Sequence, residues 1–96
     1  MNHYRRAAGT PRRDERIAAR VAKLLLQKAE VQKGEQPEGA LVDMGLTQTE
    51  LEQMLGASRP AVNRVLQSFA ARGSISLSGG KIIIRDAIAL RRRAGI

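Results

Sequence analysis

The chain has 96 residues, the size of one domain, with a formal charge of +8 from 17 Lys+Arg against nine Asp+Glu. Hydrophobic residues make up 43% and the only aromatics are Tyr4 and Phe69, so the core has to be aliphatic. There is no cysteine and His3 is the single histidine, which excludes disulfides, thiolate metal sites, cysteine nucleophiles and histidine-based metal clusters or triads.

A core this small leaves no interior for a large cofactor. No catalytic, cofactor-binding or metal-ligating residue is therefore assigned, and an enzyme is not expected. The pI near 11.3 points to a polyanionic partner, most often nucleic acid. No apolar run approaches the roughly 18 residues of a membrane span. The start is polar and arginine-rich, without a secretory pattern. The expectation is a cytoplasmic protein with no membrane contact.

Residues 1–13 read as a basic flexible arm carrying Arg5, Arg6, Arg12 and Arg13, with Gly9 and Pro11 opposing regular structure. Entry into a minor groove is an alternative use of such an arm. A helix is predicted from about Asp14, or slightly earlier if Thr10 caps it and Pro11 takes the first turn. Ile17, Val21, Leu24, Leu25 and Ala29 recur at three- and four-residue steps and form one buried stripe. Arg16, Arg20, Lys23 and Gln27 fall on another face, read as solvated. Residues 32–39, with Pro37 and two glycines, are predicted to connect this helix to a short strand within 40–44.

Thr47 and Glu50 have the spacing of a capping box, which predicts Thr47 as an N-cap. Leu46 and Leu51 would staple that turn; Leu51, Met54 and Leu55 would face inward, and Gly56 would end the helix. Ser58 is a second predicted N-cap, with Pro60 tolerated in the first turn. That helix runs to about Arg72, where Gly73 closes it. Val62, Val65, Leu66 and Phe69 form its buried side, away from Arg59, Asn63, Arg64 and Gln67. Residues 74–85 alternate Ile75, Leu77, Ile82 and Ile84 about Gly79-Gly80, the pattern of a hairpin. Asp86 caps a last short helix that carries Ile88 and Leu90, and Arg91, Arg92 and Arg93 at its C-terminal end suit the helix dipole.

Two helices joined by Gly-Ala-Ser have to cross steeply, as in a helix-turn-helix. Leu51, Leu55, Ala57, Val62 and Val65 stand where the pair would touch, and Gly56 stands at the bend. The hairpin directly behind makes the fold mainly α with a small β-hairpin wing. This is a winged helix-turn-helix with a three-helix core: domain 14–93, helix-turn-helix 47–72, wing 74–85.

The stretch LTQTELEQMLGASRPAVNRVLQSFAARGSISLSGGKIIIRD resembles the DNA-binding domain of the Crp/Fnr transcription regulators. That family carries a similar L-T-x-x-[DE]-L helix, then G-x-S-R, V-x-R-x-L and a G-x-I step into the wing. The resemblance extends over roughly residues 14–92. Family members usually add an effector-binding β-barrel and a long dimerisation helix. Neither fits within thirteen residues, so the expectation is either an output domain or a standalone small regulator.

The helix from 58 to 72 holds three arginines and no acid, and a major groove admits one such helix. The resemblance implies base contacts at Arg59 and Arg64, to which the exposed face adds Pro60 and Asn63. Pro60 stands where many members carry an acid or polar group and offers only apolar contact, for example to a thymine methyl. Ala61 replaces a frequent hydroxyl residue. Glu52 stands where a small residue is usual; it either leans out to pair with an arginine or opens the helix crossing. Candidate phosphate contacts are Thr47, Gln48, Thr49, Ser58, Gln67 and Lys81, from helix N-termini, the reading helix and the hairpin tip.

The function expected is sequence-specific binding of double-stranded DNA by a transcription regulator, as a homodimer on a two-fold site. The alternatives are a winged-helix protein-interaction module and a non-specific nucleic-acid binder.

Overall fold

The computed structural model describes residues 13–96. Helix α1 (Arg13–Lys33) buries Ile17, Val21, Leu24, Leu25 and Ala29, the expected stripe, together with Ala18, Ala22 and Leu26. Arg13, read as the end of the arm, belongs to this helix. Arg5, Arg6, Arg12 and the rest of the expected arm lie outside the described residues. The helix also outlasts its expected end, and Gly34 closes it with φ +69° and its N–H on Glu30 O at 2.8 Å. The extra turn has a use. The Gln32 side-chain amide accepts from Leu41 N–H at 3.1 Å and donates to Leu41 O. Leu41 begins an edge strand, so Gln32 satisfies backbone groups that a neighbouring strand would otherwise meet.

Strand β1 (Leu41–Asp43) lies antiparallel beside β3 (Lys81–Ile84), which pairs on its other side with β2 (Ile75–Ser78). The β2–β3 hairpin turns on Gly79 and Gly80, with φ of +55° and +79°. Ile75, Ile82 and Ile84 are buried from it, and Leu77 is half-buried. The sheet register sets Asp43 opposite Lys81.

That register decides where helix α2 (Met44–Leu55) starts. Its N-cap is Asp43, whose carboxylate accepts from Gly45 N–H at 2.9 Å and Leu46 N–H at 3.2 Å. Thr47 is not the cap. It lies inside the helix, fully buried, with its hydroxyl donating to Asp43 O at 2.9 Å. Glu50 does not close a capping box; its carboxylate meets Lys28 Nζ at 2.8 Å. Leu46 and Met54 are 59% and 62% exposed, so the staple is absent and Met54 faces out. The cause is tertiary. Strand pairing fixes Asp43, Lys81 pins its carboxylate, and the helix begins three residues before the local signal.

Gly56 ends α2 with φ +65° and its N–H on Glu52 O, as expected. Helix α3 (Arg59–Ala71) follows, with Ser58 Oγ accepting from Ala61 N–H at 3.3 Å and Pro60 in the first turn. It buries Val62, Val65, Leu66 and Phe69 in the same core as Leu51 and Ala57. Helix α4 (Ala87–Ala94) is capped by Asp86, which accepts from Ala89 N–H at 3.0 Å. It sets Ala87 and Leu90 against α1 and leaves Ile88 exposed. The fold is the expected winged helix-turn-helix, with β1 as a third strand and α4 laid along α1.

Candidate nucleic-acid interface

The sequence of α3 separates two faces. Ala61, Val62, Val65, Leu66 and Phe69 are buried, which fixes the helix rotation. Arg59, Pro60, Asn63, Arg64 and Gln67 are thereby turned to solvent. All the predicted base-contacting residues share this exposed face. No carboxylate occurs between Ser58 and Arg72.

Helix α2 supports this face in two places. Glu52 leans out, and its Oε2 lies 3.8 Å from Arg59 Nε. Of the two readings left open for Glu52, the ion pair is the one observed. Gln48 is buried, and its Nε2 donates to Asn63 Oδ1 at 2.6 Å. With Oδ1 so engaged, Asn63 turns its amino group outward.

The candidate phosphate contacts divide. Ser58 is exposed at the α3 N-terminus, Gln67 is exposed on α3, and Thr49 is exposed on α2 with its hydroxyl on Gly45 O at 3.0 Å. Lys81 stands beside the hairpin turn, with Nζ 3.1 Å from Asp43 Oδ2. Thr47 and Gln48 are turned inward, so the reading of both as helix-terminus groups open to phosphate is corrected. The α2 N-terminus lies earlier, and the Asp43 carboxylate occupies it. The Lys81 ammonium, with the N–H groups of Leu46 and Gly45, holds that carboxyl below its usual 3.8.

Sequence reasoning missed Asp43 and the Gln48–Asn63 bond. The signal for Asp43 was present: a good N-cap residue directly behind an apolar strand and two residues before a glycine. Nothing local marks the partner of Gln48, fifteen residues away in the chain.

Several carboxylates are already engaged in ion pairs: Glu30 with Arg91, Asp43 with Lys81, Glu50 with Lys28 and Glu52 with Arg59. Among the described residues, no three His, Cys, Asp or Glu are arranged to hold a metal, and no helix is long and apolar enough to cross a membrane.

The family described as the Crp-like helix-turn-helix domain matches residues 19–93. The CRP-like cAMP-activated global transcriptional regulator of Mycobacterium tuberculosis is 49% identical over 79 residues, covering 81% of this chain and 35% of that protein. A putative HTH-type transcriptional regulator of Porphyra purpurea is 32% identical over 77 residues, covering 80% of this chain and 32% of its own length. Among solved structures, the catabolite activator protein of Thermus thermophilus matches with TM-score 0.65 and 32% identity over 85% of this chain and 35% of its own. The CO-dependent transcription factor CooA of Carboxydothermus hydrogenoformans matches with TM-score 0.65 and 26% identity, over 80% of this chain and 36% of its own. The chain spans about a third of the length of these relatives. Its match covers the two crossed helices, the wing and the helix beyond it, and the chain belongs to the Crp-like helix-turn-helix family of transcription-regulator domains.

Proposed function

We propose that this domain binds double-stranded DNA with sequence preference, as the output part of a cytoplasmic transcription regulator that acts as a homodimer. The observation that carries the reading is the exposed face of α3: Arg59, Asn63, Arg64 and Gln67 in one row, with no acid on the helix. Helix α3 enters the major groove, and the β2–β3 hairpin rests on the backbone.

Arg64 and Arg59 read guanine through O6 and N7. Asn63, its Oδ1 engaged by Gln48, offers its amino group to acceptor edges such as guanine O6 or thymine O4. Pro60 makes apolar contact. Ser58, Thr49, Gln67 and Lys81 meet phosphates and set the register. Thr47 and Gln48 act from behind the surface, by holding α2 and Asn63.

Selection of bound duplexes from a random pool identifies the preferred site. Arg64→Ala is then expected to weaken that site by about 1–3 kcal/mol more than it weakens scrambled DNA. Lys81→Ala is expected to weaken both alike. Equal losses from Arg64→Ala on both duplexes remove the base-reading role, and a random pool that yields no preferred site refutes sequence-specific binding.

A further inference from the structure

The basic face of α1 has a place beside the DNA surface. Arg13, Arg16 and Arg20 recur at steps of three and four and therefore share one face. They border a groove of about 210 Å³ whose remaining lining is Ile17, Leu55 and Ala57. The groove runs from the first turns of α1 to the bend between α2 and α3. Ala57 on its wall directly precedes Ser58 and Arg59, where the reading helix begins.

Charge on this part of α1 is segregated by side. Asp14 and Glu15 border a different groove, shared with Arg64 and Arg93. No carboxylate lines the groove of Arg13, Arg16 and Arg20. Its apolar wall of Ile17, Leu55 and Ala57 replaces water behind the guanidinium groups and strengthens their attraction for an anion. From Arg13 to Arg20 the helix rises by roughly 10 Å, about the axial rise of three phosphates on one DNA strand. Arg16 already engages another group of the chain, so Arg13 and Arg20 carry the test.

We propose that this groove is a second DNA-backbone site, which takes phosphates flanking the bases read by α3. The proposal rests on the DNA-binding reading above. It adds that the footprint extends past the reading helix on the α1 side, and that arginines outside the helix-turn-helix set part of the affinity without reading sequence. The occupant is a polyphosphate backbone; an acidic protein segment is the competing occupant.

The experiment compares the wild type with Arg13→Ala/Arg20→Ala and Arg13→Lys/Arg20→Lys. Fluorescence anisotropy is followed across a salt series on two duplexes that share the selected site. One ends at the site and one extends well beyond it on both sides. On the long duplex the alanine pair is expected to flatten the slope of log K against log salt by about 1.8, or about 0.9 for each phosphate released. On the short duplex the slopes should converge. The ratio of preferred to scrambled binding should stay at the wild-type value, and the lysine pair, which keeps the charge, should keep the steep slope. A wild-type slope for the alanine pair on the long duplex overturns the proposal, leaves α3 binding intact and hands the groove to an acidic protein. Loss of base preference in the alanine pair also overturns it. Absence of wild-type binding to either duplex removes the DNA-binding reading itself, and this site with it.

Discussion

Gly56 joins the two helices whose crossing presents α3, and the cost of replacing it can be worked from its surroundings. Its φ is +65°, which an L-residue enters at a cost of about 1–2 kcal/mol. A Cβ built there meets nothing within 4 Å, so no clash adds to that figure. Alanine also restricts the unfolded chain, which returns about 0.4–1 kcal/mol. The net expectation for Gly56→Ala is a loss of about 1 kcal/mol, or about 4–8 °C in Tm for a domain of this size. Urea unfolding is the assay: the midpoint should fall while the slope stays constant, since the folded surface is unchanged. Gly56→Asn should cost less, because asparagine tolerates the left-handed region, and Gly56→Val should cost more. An alanine variant as stable as the wild type, or asparagine worse than valine, refutes the attribution to backbone conformation. A loss above about 3 kcal/mol refutes the open space around Gly56, since backbone strain alone does not reach it.

Two further variants test the start of α2. Thr47→Val removes a buried hydroxyl bonded to Asp43 O and should cost about 0.5–1.5 kcal/mol in urea unfolding. The affinity of its folded form for DNA should be unchanged, whereas a salt slope flatter by about 0.9 would return that hydroxyl to a phosphate. Asp43→Asn tests the depressed carboxyl. A group whose folded pKa lies below its unfolded value stabilises the fold above the unfolded value, and the stabilisation disappears as pH falls through the folded value. The stability difference between wild type and variant, from urea midpoints, should hold at neutral pH and shrink below 3.8. A difference constant down to strongly acidic pH contradicts the pairing with Lys81.

The elements legible in the sequence are those whose determinants are local. The α1 stripe, the Ser58 cap, Gly56, the Gly79-Gly80 turn and the Asp86 cap each depend on residues a few positions apart, and each is found where expected. The start of α2 is different. Thr47 and Glu50 satisfy a local pattern, yet Asp43 also satisfies one, and local chemistry does not rank them. The choice falls to Lys81, thirty-eight residues away, through the pairing of β1 with β3. The extra turn of α1 has the same origin, since Gln32 serves the edge of β1. Non-local partners set helix ends here, while periodicity sets helix faces.

The same division explains the candidate site. Residue type and spacing were enough to put Arg59, Asn63, Arg64 and Gln67 on one exposed face, because the opposite face has to bury Val62, Val65 and Phe69. Sequence does not reveal which polar groups are already engaged. Gln48 and Thr47 have the right chemistry for phosphate and turn inward; Glu52 is an acid in a basic region and lies beside Arg59. That last pair has a consequence for recognition. Arg59 leaves solvent for a guanine with a carboxylate 3.8 Å away, whereas Arg64 has Asp14 and Glu15 only across a groove. The carboxylate of Glu52 repels a phosphate near Arg59 and leaves its guanidinium an acceptor to lean on while it donates to a base. Arg59 is therefore shifted from backbone attraction towards base reading by a residue of the supporting helix, and the selectivity of α3 depends on α2 as well as on its own face.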